Sequence, residues 1–115
     1  MEIDEEQAGE TLVIAPCGRV DSVSSDELER RVVFWLDGGT RRVVIDLSGV
    51  GYISSAGLRV LLLAAKRLKP PQGALVLCGL GPSVKTVLEL AGLASLFTIE
   101  PGREQALARA SSGAA

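Results

Sequence analysis

Apolar residues along the chain fall either into short continuous runs or into stripes that recur every three to four positions, and the alternation between the two marks out strands and helices. The run Thr11 to Val20 (TLVIAPCGRV) is apolar and β-forming and follows the turn-like Ala8-Gly9-Glu10. Met1 to Gln7 is therefore expected to fold back on it as the outer strand of a hairpin. Leu28, Val32, Trp35 and Leu36 then recur at i, i+4, i+7 and i+8, the apolar stripe of a helix. Ser24, with Glu27 three residues later, has the form of a capping box that would start this helix, and Gly38-Gly39 would stop it. Val43-Val44-Ile45-Asp46-Leu47 is close to an unbroken apolar run, which suits a strand covered on both faces.

The second half repeats the alternation. After a loop from Ser48 to Ile53, Leu58, Leu61, Leu62, Ala65 and Leu68 form a second helical stripe over Ser55 to Leu68, closed by Pro70-Pro71. Ala74 to Cys78 (ALVLC) is another buried-type strand and Gly79-Leu80-Gly81 a turn. Val84, Val87, Leu88 and Ala91 mark a third helix that Gly92 closes. Leu96 to Glu100 adds a short strand and Arg103 to Ala110 a last helix. This order implies an α/β domain over residues 1–110, with a mixed, mostly parallel sheet of about five strands and four helices packed against it. The small-residue tail at 111–115 is expected to fray.

Composition then removes whole classes of chemistry. The chain has 115 residues, 47% of them hydrophobic, enough for one core that buries roughly two-thirds of the unfolded surface. Histidine is absent, which excludes Ser-His-Asp and Cys-His catalysis and His-ligated zinc. Aromatics make up 3% (Phe34, Trp35, Tyr52, Phe97), too few for the stacking platforms of single-strand binders. A net charge of -2 opposes a phosphate-backbone footprint, so no nucleic-acid partner is expected. The acidic start Met-Glu-Ile-Asp-Glu-Glu is unlike a signal peptide, and no apolar run reaches the roughly 18 residues of a membrane span. The expectation is a cytoplasmic protein with no membrane insertion, a monomer or weak dimer. Cys17 and Cys78 sit in strand-like runs and read as two buried thiols rather than a disulfide.

Three segments could carry chemistry. Gly79 to Thr86 (GLGPSVKT) would match the phosphate-binding pattern G-x-x-x-x-G-K-[ST] if residue 84 were glycine. It is valine, whose Cβ obstructs a phosphate cradle, and an ordinary strand-to-helix turn explains the segment. The carboxylates of Asp21 and Asp46 each lie near a strand end, where parallel sheets collect their functional loops. No lysine, histidine or nucleophile is placed beside them, and loop hydrogen bonding outranks acid-base catalysis. Asp21 is expected to cap the turn at Ser22 to Ser24, and Asp46 to serve the loop from Ser48. In Tyr52-Ile53-Ser54-Ser55-Ala56-Gly57-Leu58 a β-type run enters a helix through two serines. Ser54 or Ser55 can cap it. A phosphoserine would also be tolerated there, because unpaired amides and the positive dipole end favour an anion.

These residues resemble a known signature. Val44-Ile45-Asp46-Leu47-Ser48-Gly49-Val50, followed by Tyr52-Ile53-Ser54-Ser55-Ala56-Gly57-Leu58-Arg59-Val60-Leu61, is similar to that of bacterial anti-sigma-factor antagonists, which are single-domain STAS proteins. Gly18-Arg19-Val20-Asp21 resembles the family's Gly-x-hydrophobic-Asp, and Pro82 to Leu93 its third helix. The resemblance implies a non-enzymatic phosphoprotein of transcription regulation and signal transduction, with a STAS-like fold and neither cofactor nor metal. Its implied partners are an anti-sigma factor that is also a serine kinase of the histidine-kinase-like ATPase type, and a PP2C-type phosphatase. The unphosphorylated antagonist binds the first and frees the sigma factor; phosphorylation ends binding. In the family pattern the phosphorylated serine follows an aspartate and precedes Ser or Thr, then Gly-Leu. Aligned on Gly57-Leu58, the acceptor falls at Ser55, with Ser54 as second choice. Two departures accompany it, Ser54 in place of the aspartate and Ala56 in place of the second hydroxyl.

The helix itself supports a switch. Projected from Leu58 at 100° per residue, the inner face takes Leu61, Leu62, Ala65 and Leu68 and leaves Val60 and Leu63 outward among Arg59, Lys66 and Arg67. An apolar pair in a basic rim looks like a partner surface beginning one turn from Ser55. The expected partner-binding set is Asp21, Ser54, Ser55, Ala56, Gly57, Arg59, Val60, Leu63 and Arg67. Two alternatives stay open: a STAS subunit that binds the ATPase of an ABC-type lipid transport system through the same helix, and a nucleotide-binding protein using the Gly79 to Thr86 turn.

Overall fold

The chain turns at Gly9, φ +64°, between strands β1 (Glu2–Ala8) and β2 (Thr11–Val20). The two pair antiparallel, with Ala8 opposite Thr11 and Glu2 opposite Cys17, which is the expected hairpin. In the computed structural model, which describes residues 1–112, the elements that follow are α1 (Ser24–Asp37), β3 (Arg42–Asp46), β4 (Val50–Ile53), α2 (Ser55–Arg67), β5 (Ala74–Cys78), α3 (Pro82–Leu90), a 3-10 turn (Ala94–Leu96), β6 (Thr98–Glu100) and α4 (Arg103–Ser111). The sheet order is β1-β2-β3-β5-β6, with β4 off this path and paired to β2. Apart from the hairpin, every pairing is parallel. The mixed, mostly parallel α/β sheet with four helices is therefore the observed fold, with six strands.

Strand β4 lies where a loop was expected. Val50-Gly51-Tyr52-Ile53 buries only its two end residues, too few for a periodic signal, and its pairing depends on β2 changing partners. Residues Thr11 to Ile14 of β2 pair with β3, whereas Gly18 to Val20 pair with β4, with a register shift between Gly18 and Arg19. Gly18 sits at φ +106°, a conformation open to glycine at little cost, and its N–H donates to Gly49 O at 2.9 Å. Cys17, in the same stretch, is exposed, which corrects the expectation of two buried thiols. Cys78 is buried, and burial pushes its thiol pKa up to about 11.

Two layers cover the sheet because successive strand residues face opposite sides. Leu12, Ile14, Val43, Ile45, Leu75 and Leu77 point to the core shared with α1, α2 and α3. Val13, Val44 and Val76 point to Ala106 and Ala110 of α4. Each fully buried leucine or isoleucine here contributes about 1.5–3 kcal/mol. Helix α4 is tied down further by Arg103, which meets Asp46 Oδ2 at 3.0 Å and Glu6 Oε1 at 3.0 Å. It runs on through Ser111, one residue into the stretch expected to fray; 113–115 lie outside the described residues.

Candidate functional site

Strands β2 and β4 end together, Val20 opposite Ile53, and this delivers two loops to one edge. Ser54 N–H donates to Val20 O at 2.8 Å, anchoring the residue before α2 to the end of β2. From its extended conformation Ser54 caps the helix: its Oγ accepts from Gly57 N–H at 3.3 Å, and its carbonyl takes the first helical bond, from Leu58 N–H at 2.9 Å. Ser54 is thus consumed as the cap. Ser55, the first helical residue, is exposed, and its hydroxyl has no partner among the described residues. Gly57 is buried because a Cβ there would stand 2.7 Å from both Ile53 Cγ1 and Val20 Cγ1. The two strand ends press so closely on the helix that only hydrogen fits. Ala56 is half-buried beside it.

The neighbouring loop belongs to Asp21. Its Oδ1 accepts from Val23 N–H at 3.0 Å and Ser24 N–H at 2.9 Å, the expected capping of the turn. Hydrogen bonds from the Ser24 amide, then the Ser24 hydroxyl and the Val23 amide, hold the Asp21 carboxyl below the usual aspartate range. The capping box fails: Ser24 is itself helical, its hydroxyl donates to Arg19 O at 2.6 Å, and Glu27 pairs with the Met1 amino group at 3.2 Å. Asp21 has taken the role assigned to Ser24. On the outer side of the same edge, Arg19 stacks over the Tyr52 ring at 4.2 Å, and Val23 is 80% exposed. Sequence reasoning missed this trio, since Arg19 and Tyr52 meet only because β4 pairs with β2.

The outer face of α2 differs from the projected one. Val60 is 2% exposed and lies in the core, so its outward placement is corrected. Gly57, Leu58, Val60, Leu61 and Ala64 are the buried residues of the helix, an arc rotated by roughly a quarter turn from one centred on Leu58. Small Gly57 and Ala64, weak in a hydrophobicity count, let the helix approach its neighbours closely. Leu63 is half-buried against the same core. Arg67 is not a free rim cation, because its Nη2 meets Asp37 Oδ1 at 2.8 Å. Arg59 and Lys66 are exposed. Outward from the start of α2 the face is therefore cationic and polar, and its apolar content is Leu63 together with Leu62, which was expected on the inner face but is only half-buried.

The other candidates resolve into structure. Gly81 precedes α3, Pro82 occupies its first turn, and Val84 is fully buried, so the Gly79 to Thr86 segment is a strand-to-helix turn. Asp46 accepts from Ser48 N–H at 3.0 Å, as expected, and also holds Arg103. Burial pushes its carboxyl pKa up, but the Ser48 and Arg103 hydrogen bonds outweigh burial and leave it lowered. Asp21 and Asp46 thus serve separate partners rather than one reaction centre. Among the described residues no group of acids and cysteines is arranged to hold a metal ion, and no helix is long and apolar enough to cross a membrane.

Known proteins share this fold. A family model described as the STAS domain matches residues 2–106. The candidate anti-sigma factor antagonist BtrV of Bordetella bronchiseptica is 50% identical over 91 residues, spanning 79% of this chain and 78% of that protein. The crystal structure of an anti-sigma factor antagonist from Mycobacterium paratuberculosis superposes with a TM-score of 0.88 at 25% identity, covering 96% of this chain and 93% of that one. The Bacillus cell fate determinant SpoIIAA, in its phosphorylated form, shares the fold with a TM-score of 0.72 at 19% identity, over 94% of this chain and 98% of its own. With the bulged β2, the Ser54 cap and the buried Gly57 all inside the matched region, the chain belongs to the STAS domain family and stands among its anti-sigma-factor antagonists.

Proposed function

We propose that the chain works by partner switching, with Ser55 as the switch. The unphosphorylated chain binds an anti-sigma factor that is also a serine kinase, through the edge formed by Asp21, Ser54–Ala56 and Arg59, with Gly57 buried beneath it, and so frees a sigma factor. The kinase transfers the γ-phosphoryl group of ATP to Ser55 Oγ, with loss of the hydroxyl proton and release of ADP. The added charge of roughly -1.5 to -2 falls at the edge of a contact that must be desolvated, so binding ends without a change of fold. A PP2C-type phosphatase hydrolyses the phosphoester and resets the cycle in the cytoplasm.

The observation that carries this reading is the division of labour between the two serines: Ser54 is committed to the cap, whereas the Ser55 hydroxyl is exposed and unpartnered. A phosphate at the first helical position also meets the amides that no helical carbonyl can satisfy. The phosphorylated SpoIIAA relative supports phosphorylation as a state this fold accepts. Incubation with the cognate kinase and ATP, followed by mass spectrometric site mapping, is expected to find one phosphoryl group on Ser55 and none in Ser55→Ala. Absence of any mass gain at Ser54 or Ser55 overturns the mechanism, and modification of Ser54 alone removes Ser55 from it.

A further inference from the structure

We infer that Arg59 is the internal counter-ion of phosphorylated Ser55, an inference that rests on the phosphorylation proposed above and assigns a device for its readout. The two residues lie four positions apart on the uninterrupted helix α2, and both are exposed. Side chains on a helix lean toward its N-terminus, so Arg59 covers the turn that Ser55 begins. An anion placed four residues before a cation is the favourable order on a helix.

Among the described residues nothing competes for either member. The first turn of α2 holds no acidic residue, and Arg59 has no carboxylate partner among the described residues. By contrast, Arg31, Arg67 and Arg103 are engaged at 2.7, 2.8 and 3.0 Å, and Arg19 is stacked on Tyr52. Asp21, the acid at this edge among the described residues, already receives the amides of Val23 and Ser24. Arg59 is therefore an uncommitted guanidinium one turn from an uncommitted hydroxyl, and a phosphate is the group its planar fork fits best.

The pair changes what phosphorylation does. In the unphosphorylated chain Arg59 is open to an acidic group of the partner. Once Ser55 carries phosphate, Arg59 turns back along its own helix to hold it. The partner then meets a new anion and also loses a cation.

The test uses chain with phosphoserine incorporated at position 55 during translation, so no kinase is needed. A phosphorus NMR titration follows the second ionisation of the phosphate, which lies near pH 6 in an unpaired phosphoserine. Arg59→Gln is expected to raise the midpoint by about 0.3 pH unit relative to the phosphorylated parent. Lys66→Gln, which removes an exposed cation two turns further on, leaves it unchanged. Equal midpoints in the parent and Arg59→Gln overturn the pairing. An equal rise in Lys66→Gln also overturns it, because the effect is then one of net charge. Failure of a kinase to modify Ser55 would refute the switch and would leave this measurement standing, so the two failures are distinguishable.

Discussion

Helices α1 and α2 both begin with two consecutive serines at the end of β2 or its partner β4, yet the two starts are used in opposite ways. At α1, Ser24 bridges to Arg19 O and Asp21, and Ser25 is buried with its hydroxyl on Ser22 O at 3.4 Å. Both hydroxyls are spent on structure. At α2, one serine caps and the next is left open. The cause is the acid in front. Asp21, three residues before Ser24, supplies the capping carboxylate for α1 and draws Ser24 into its network, whereas the matching position before Ser54 is Gly51, and Ser54 must do the capping alone. The same dipeptide is a structural joint in one place and a candidate modification site in the other.

Substitutions can break or sharpen that contrast. The largest effect is expected from Gly57→Ala, whose methyl group would enter the 2.7 Å approach of Ile53 and Val20. A loss of about 1–3 kcal/mol, read from urea midpoints, would show that the α2 start is held by packing. Ser24→Ala is expected to cost about 1 kcal/mol at the α1 start. The Asp21 carboxyl gives that start a pH dependence. Its folded pKa is depressed, so its stabilisation is full above about pH 4 and fades as the pH falls toward the folded value. The advantage of the parent over Asp21→Asn should shrink in the same window. Ser54→Ala removes a long 3.3 Å cap bond and should cost about 0.5 kcal/mol. Ser55→Ala should leave stability within about 0.5 kcal/mol while abolishing phosphorylation. A Ser55→Ala loss as large as that of Ser24→Ala would erase the contrast.

The long elements were legible. Val43 to Leu47, Ala74 to Cys78 and the helical stripes announce themselves because they bury many residues at one period. Strand β4 did not, since Val50 and Ile53 alone carry its burial. The face of α2 was misread at Val60 because hydrophobicity counts ignore small residues, and Gly57 and Ala64 are what let the helix settle as it does. Arg67 and Arg103 were invisible as partners, because Asp37 and Asp46 lie 30 and 57 residues away in the chain. The Ser54–Gly57 segment was found by its residue types, although it is the cap and first turn of α2 and not a loop, and the resemblance singled out Ser55.

By itself the sequence determined the α/β order, the family and the short segment in which a hydroxyl opens a helix, because local periodicity and motif spacing are properties of neighbouring residues. Only the tertiary structure decided which serine is free, which face of α2 is exposed and that Arg59 has no acid partner among the described residues. Those facts depend on what lies across the β2–β4 ladder and between helices. Such contacts form between residues distant in the chain, and local patterns carry no record of them.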